Sequence, residues 1–251
     1  MQDLLGNNYQ SQDNQSQKLY QEGNLLKNVR LGFVRKVFSI LSVQLSFTAL
    51  MIFMSQQNRS FRLFQIHNDW LNTLSLVLTI AISVGMYCVP ALTKKLPINY
   101  IALGLFTLCE GYTLSALTLK FSKLIVLQAG FLTAGATILL FLYACTTKKD
   151  ITIMNSLFFL LISSISLVSL INFFFFKIEL LAMLIQFATV LIYSLYLIYD
   201  IQLIMGNKTL QLDIDNYILG SLMIYVDIVQ IFLKILQILG KQEEKEEKRR
   251  K

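Results

Sequence analysis

Two aspartates in the C-terminal quarter of the chain are the residues whose surroundings most favour chemistry. Asp200 lies in the apolar run LIYSLYLIYDIQLI, Asp227 lies in YILGSLMIYVDIVQIFLKILQILG, and a polar break over 206–216 separates the runs. A charge at the centre of a membrane helix costs roughly 2.5–3.5 kcal/mol, so such a residue usually faces a partner or water. The sequence midpoint of the aspartates falls inside the break, so an antiparallel helical hairpin would place both carboxylates at similar depth.

Two such carboxylates can share a proton and control a cation path. In a low dielectric they cannot both ionise easily, so the pair titrates as a unit. When protonated, they can hydrogen-bond to each other and join their helices. When deprotonated, they repel each other, and their oxygens become ligands for a hard cation such as calcium. We therefore interpret Asp200 and Asp227 as a pH-sensing gate and as a transient calcium site.

The same aspartates allow two other interpretations. Each acid could bond to a neighbouring Tyr, Thr, Gln or Lys and only hold helices together, and the sequence leaves this alternative open. An intramembrane aspartic protease also uses paired aspartates on adjacent helices. Here, however, the second aspartate lies in YVDI rather than in a GxGD-type motif, and the single histidine, His67, excludes a Ser-His triad. We therefore expect no enzymatic activity.

Further polar residues inside the apolar runs form a candidate pore or network. In the third run, three polar residues at positions i, i+3 and i+6 share one helical stripe. A tyrosine precedes the first aspartate by four residues on the same face, and a lysine follows the second by seven residues, two turns along. These candidate residues are Thr107, Glu110, Thr113, Tyr196 and Lys234.

The composition is that of a membrane protein. The chain is 55% hydrophobic and only 15% charged, with a formal net charge of +7, which excludes a water-soluble domain. Its basic residues are scattered between apolar runs and massed at the C-terminus, a distribution that suits anionic lipid headgroups. The sequence shows no nucleic-acid signature, no phosphate-cradling glycine loop and no C-x-x-C spacing. We expect no nucleic-acid partner and no cofactor besides calcium as a transported ion.

Seven apolar runs predict an all-α membrane protein with seven transmembrane helices. Each run is about 20–26 residues long, enough to cross roughly 30 Å of hydrocarbon as a helix. The connections are short, so consecutive helices should be antiparallel neighbours. We divide the chain into a disordered polar arm (1–29), a membrane domain (30–240) and a charged tail (241–251). The predicted spans are 33–54, 70–89, 98–119, 124–145, 151–176, 180–205 and 217–239.

The distribution of basic residues favours a cytosolic N-terminus. The arm and the loops on its side hold about twice as many Lys and Arg as the opposite loops. Seven full crossings would then place the basic tail, KQEEKEEKRRK, on the other side. A seventh segment that dips into the membrane and returns would keep the tail in the cytosol. The sequence leaves both topologies open.

Five blocks of sequence carry a family resemblance. They are GFVRKVFSILSVQLSFT, LPINYIALGLFTLCEGYTLS, TTKKDITIMNSLFFL, LYLIYDIQLIMG and IYVDIVQIFLKILQILG. In this order and spacing they resemble the Bax-inhibitor-motif, or Lifeguard, family of multi-span membrane proteins over about residues 30–240. The resemblance implies a seven-helix bundle around a buried last helix. It also implies an aspartate pair, matching Asp200 and Asp227, that senses pH and controls a calcium leak.

The resemblance implies a cellular setting as well. Family members are linked to suppression of cell death and are mostly found in the endoplasmic reticulum, Golgi or plasma membrane, with one mitochondrial branch. We expect a multi-pass protein of the endoplasmic reticulum or Golgi, with the mitochondrial inner membrane as the alternative. Its expected partners are the lipid bilayer and calcium. The competing hypothesis is a non-conducting accessory subunit, which would pack with other membrane proteins in a larger complex.

Two features depart from the family pattern. The segment 215–217 reads Asp-Asn-Tyr where many Lifeguard-type sequences have two acids before the tyrosine. Lys234 adds a cation near the proposed path, where it could tune or block ion flow. For a basic partner of the aspartates, the second span offers only Lys94 and Lys95 at its end.

Overall fold

The computed structural model describes residues 2–147, 161, 163–165, 167–169, 171–172, 178–206 and 211–250, and within these ranges the regular structure is helical. The short described stretches between 161 and 172 are helical too. A 3₁₀ turn, Ile214–Asn216, leads into the last helix. The helices are α1 (Gln2–Gln57), α2 (Arg59–His67), α3 (Asp69–Cys88), α4 (Ala91–Lys94), α5 (Ile98–Thr118), α6 (Lys123–Thr146), α7 (Glu179–Met205) and α8 (Tyr217–Arg250).

Six stretches of the described residues are long and apolar enough to cross a membrane. They match six of the seven predicted spans, and the predicted fifth span, 151–176, lies largely outside the described residues. The prediction of an all-α, multi-pass membrane protein is confirmed. The six stretches are Gly23–Gln57, Asp69–Cys88, Ile98–Thr118, Lys123–Thr146, Glu179–Met205 and Ile214–Glu246.

Polar contacts show how the helices run relative to one another. Gln44 bonds to Thr107 and Gln56 bonds to Thr118, so α1 and α5 run in the same direction. At one end of the bundle, Ser122 Oγ bonds to Glu243 Oε1 at 2.9 Å, and Lys123 Nζ bonds to Gln57 Oε1 at 3.1 Å. We call this the Ser122 end. At the other, the Arg30 end, Arg30 bonds to the backbone of Leu203 and Leu212.

Helix α8 crosses the whole bundle. Tyr217, its first residue, lies at the Arg30 end, where Lys36 stacks on its ring, and Glu243 lies at the Ser122 end. The tail predicted over 241–251 is helical in the structure through Arg250, as a continuation of α8. Helix α8 thus runs from one end of the bundle to the other, and the side of the membrane on which the tail lies stays a prediction.

The N-terminal arm differs from its prediction. The sequence predicts a disordered segment over 1–29, whereas α1 is helical from Gln2. The segment 2–28 contains no proline and no β-branched residue, and it holds six Gln and five Leu residues, which lose little side-chain freedom in a helix. Polarity therefore does not prevent helix formation here. The division into arm, membrane domain and tail stays a prediction.

The core of the bundle forms around α8. Six of its residues, Ile218, Leu222, Ile224, Tyr225, Ile231 and Leu236, are at most 1% exposed. The helix packs against α1, α6 and α7. A Cβ at Gly220 would lie 3.1 Å from Leu212 Cδ2 and 3.3 Å from Ile204 Cδ1, so the missing side chain lets α7 approach α8 closely at the Arg30 end. This close approach positions the two aspartate-bearing helices.

Candidate functional site

Asp200 and Asp227 meet between α7 and α8. Their side chains lie within hydrogen-bonding reach of each other, and they are 4% and 5% exposed. Only a protonated carboxyl can donate such a bond, so a bonded pair holds at least one proton. The structure thus contains the antiparallel hairpin that the sequence predicts and brings its two carboxylates together. The role of the pair in gating stays a prediction.

The pair is not fully satisfied. Asp227 Oδ2 is buried and has no hydrogen-bond partner among the described residues. A buried carboxylate oxygen without a partner is costly, whereas a proton, a water molecule or a cation would satisfy it. The arrangement therefore leaves an acceptor available between the helices.

Tyrosines, rather than cations, are the polar residues around the pair. Tyr87 and Tyr196 are close enough to interact electrostatically with both carboxylates, and Tyr193 with Asp227. The sequence places Tyr196 on the helix face of Asp200, and in the structure its phenol lies within electrostatic range of that carboxylate. It misses Tyr87, because a tyrosine at the end of a span resembles an interfacial anchor.

From the second span, the phenol of Tyr87 lies within electrostatic range of the pair. Lys94, one of the two basic candidates, makes a 3.3 Å ion pair with Asp213 in the α7–α8 loop. It therefore lies at the Arg30 end of the bundle and not at the depth of the aspartates. No lysine or arginine contacts the pair in the part of the chain that the structure describes.

The predicted stripe on α5 (Thr107, Glu110 and Thr113) is separate from the aspartate pair, and we call it the α5 cluster. Thr107 Oγ1 accepts a 3.1 Å bond from Gln44 Nε2 of α1, and Thr113 is buried with no partner for its hydroxyl among the described residues. Glu110 is half-buried and interacts electrostatically with Tyr225 of α8. Thr107 and Glu110 thus face the contact between α1, α5 and α8, and Thr113 is buried further along the same helix.

This α5 cluster and the aspartate pair lie on opposite faces of α8. Tyr225 bonds to Thr48 Oγ1 of α1 at 2.7 Å and packs edge-on against Phe106 of α5. Asp227 is two residues further along, a rotation of roughly 200° around the helix. The structure therefore does not bring Glu110 to the aspartates, although it places the two clusters at similar depth.

Lys234 lies on the same face of α8 as Asp227. The polar residues Asp227, Gln230, Lys234 and Gln237 recur at i, i+3, i+7 and i+10, and Gln186 Nε2 of α7 lies 3.5 Å from Gln237 Oε1. Lys234 is half-buried, and no hydrogen bond or ion pair is described for it. The polar stripe therefore leads from the pair towards the Ser122 end and contains one cation.

The aspartate pair offers few acidic ligands for a metal ion. The described residues contain no group of three or more His, Cys, Asp or Glu side chains that could hold a metal. The pair offers two carboxylates, while calcium takes six to eight oxygens. Water and phenol oxygens would have to supply the remaining ligands. The pair by itself therefore falls short of the ligands that calcium takes, and its role as a calcium site stays a prediction.

Comparison with known proteins agrees with this architecture. The family described as inhibitor of apoptosis-promoting Bax1 matches residues 30–244. Bax inhibitor 1 of Schizosaccharomyces pombe is 30% identical over 214 residues, which cover 85% of this chain and 78% of that protein. Protein lifeguard 3 of Homo sapiens is 30% identical over 217 residues, 85% of this chain and 70% of that protein. Protein lifeguard 3 of Mus musculus is 29% identical over 224 residues, with coverages of 86% and 71%. The chain belongs to the Bax inhibitor and Lifeguard family of membrane proteins.

Proposed function

We propose that the protein is a calcium leak channel whose opening is controlled by protons on Asp200 and Asp227. The observation that carries this proposal is the meeting of two buried carboxyl groups from different helices inside an apolar bundle. Buried acids in a membrane span are costly, and they commonly mark ion or proton pathways. Tight packing alone would be served better by apolar residues.

The proposed gate works by mutual repulsion. With a proton on the pair, one carboxyl donates to the other and holds α7 against α8. With both groups ionised, two unit charges about 4 Å apart repel each other by roughly 4 kcal/mol at an effective dielectric of about 20. Separation of the helices relieves this repulsion and presents carboxylate oxygens to calcium. The leak should therefore increase as pH rises through the titration of the pair.

The polar stripe on α8 is the proposed route from the gate to the Ser122 end. Gln230 and Gln237 offer amide oxygens to an ion that has lost part of its water. Lys234 opposes the same ion by charge and limits the flux. We place the protein in the endoplasmic reticulum or Golgi membrane, where a calcium leak would act on the lumenal store and could underlie the family's link to cell death.

The test is calcium flux into proteoliposomes between pH 5 and 8. Wild type should leak with a flux that rises with pH, and Asp200→Asn and Asp227→Asn should each lower the flux and flatten its pH profile. Asp215→Asn is the matched control, because Asp215 is exposed in the same hairpin and makes no described contact. The accessory-subunit hypothesis predicts no wild-type leak, with only assembly or stability altered in the two variants.

A further inference from the structure

One arginine on α1 ties together the two ends of the α7–α8 loop. Arg30 Nη2 donates to the carbonyl oxygen of Leu203, and Arg30 Nη1 donates to that of Leu212, both at 2.6 Å. Leu203 lies in the last turn of α7, and Leu212 lies in the segment that leads into α8. The Leu203 carbonyl also accepts the Leu212 amide at 3.3 Å. The guanidinium therefore clamps the two helices at the loop end of the hairpin.

Several contacts around Arg30 suit a guanidinium, although its Nε is buried with no hydrogen-bond partner among the described residues. Its charge lies 4.8 Å from the centre of the Phe33 ring. Gly206, the C-cap of α7, has φ +70°, and a Cβ there would collide with the Arg30 side chain. Glycine is thus required at 206 both for its backbone conformation and for the space that the arginine occupies. A lysine, with one ammonium point, could not bridge two carbonyls in the same way.

Arg30 acts on the aspartates only through the hairpin. Leu203 follows Asp200 by three residues, so the bonded carbonyl is about one helical turn from the acid. The groups described as facing the pair electrostatically are Tyr87, Tyr193, Tyr196 and Tyr199, and none comes from α1. A change at Arg30 can therefore alter the spacing of the carboxyls without removing a charge that faces them.

We propose that Arg30 is a positioning residue that holds the ends of α7 and α8 together, so that the Asp200 and Asp227 carboxyls share a proton. This inference rests on the proposed gating function of the pair. Loss of the tie should let the helices separate at the Arg30 end. The carboxyls would then repel each other less and would both ionise at lower pH, so the leak would open at lower pH.

The experiment compares Arg30→Gln, Arg30→Lys and Gly206→Ala with wild type. Arg35→Gln is the matched control, because Arg35 is exposed on the same helix and no contact is described for it. Hydrogen exchange of the Leu212 amide in nanodiscs reports the tie itself. In Arg30→Gln this exchange should rise about tenfold or more, as expected for loss of charge-assisted bonds. Gly206→Ala should have a similar effect from the other side of the contact.

Calcium flux in proteoliposomes reports the coupling to the gate. The pH at half-maximal flux should fall by about one unit in Arg30→Gln and Gly206→Ala, and it should stay at the wild-type value in Arg35→Gln. Arg30→Lys should resemble Arg30→Gln. Full rescue by lysine would show that charge alone suffices and would overturn the geometric argument.

The two measurements distinguish the positioning role of Arg30 from the proposed leak function. Faster exchange with an unchanged flux profile would overturn the positioning role and leave the leak function standing. Unchanged exchange in both Arg30→Gln and Gly206→Ala would overturn the tie. Absence of any wild-type leak would overturn the proposed function and, with it, the positioning role.

Discussion

Replacement of Lys234 should increase the calcium flux. Lys234 is the cation within the predicted span on the α8 face that also carries Asp227, and it is half-buried without a described partner. Long helical side chains lean towards the helix N-terminus, which here is the direction of Asp227. Lys234→Gln removes the charge, keeps most of the side-chain length and adds a third amide to a stripe that already contains Gln230 and Gln237.

The magnitude follows from the spacing along α8. Seven residues of α-helix rise by about 10 Å. A divalent cation at the pair and an ammonium at this distance repel each other by roughly 3 kcal/mol at an effective dielectric of about 20. Water and salt in the path screen this repulsion, and we take about one third of it as effective. The remaining 1 kcal/mol or so corresponds to a flux increase of roughly fivefold.

The assay is the initial rate of calcium entry into proteoliposomes at a pH where wild type leaks. Lys234→Arg keeps the charge and should stay near the wild-type rate. Lys245→Gln is the matched control, because Lys245 is exposed on the helical extension beyond the predicted span. A Lys234→Gln rate equal to or below that of wild type, in protein that elutes as a single species, would refute the placement of Lys234 in the ion path.

Three further predictions separate the two faces of α8 and the polar contacts at the bundle end. Tyr225→Phe removes a 2.7 Å bond to Thr48, so the melting temperature in detergent should fall by an amount equivalent to about 1 kcal/mol, with no change in the pH profile of flux. Glu110→Gln should leave the pH at half-maximal flux unchanged, and a shift of half a unit would show that the α5 cluster communicates with the pair. Gln65→Leu removes the amide that bonds to Ser55 at 2.5 Å and to Ser115 at 2.7 Å. It should destabilise the fold by roughly 2 kcal/mol, measured as a lower melting temperature, while Asn68→Ala at the exposed end of α2 should have a smaller effect.

The sequence predicts most of the spans and the aspartate pair because both follow from the composition of short stretches of the chain. A run of about 20 apolar residues has few alternatives to a membrane helix. An acid inside such a run has to face a partner, and the symmetric placement of Asp200 and Asp227 around one polar break leaves few candidates. The same reasoning finds Tyr196, because it shares a helical face with Asp200.

What the sequence does not provide is the identity of the facing helix. Glu110 and Asp227 are both acids inside spans. Only the rotation of α8 shows that Asp227 lies on the face opposite to the one that contacts the helix of Glu110. Tyr87 lies at the end of the second span, and the position of that span in the chain does not show which helices it packs against. Arg30 bonds to backbone carbonyls, which every residue has, so no side-chain pattern signals that contact. These contacts depend on how the helices pack in three dimensions, which the spacing of residues along the chain does not determine.

The packing also indicates which helix moves if the gate opens. α8 is held at the Ser122 end by Glu243, and its inward residues, such as Leu222 and Leu236, are fully buried. α7 exposes Leu184 and Leu191 to the lipid side, at 57% and 67%. Displacement of α8 would disrupt close-packed contacts with α1, α6 and α7, whereas displacement of α7 mainly disrupts contacts with α6 and α8. Since Arg30 holds the end of α7, repulsion within the pair should tilt α7 about that end and open the seam towards the Ser122 end.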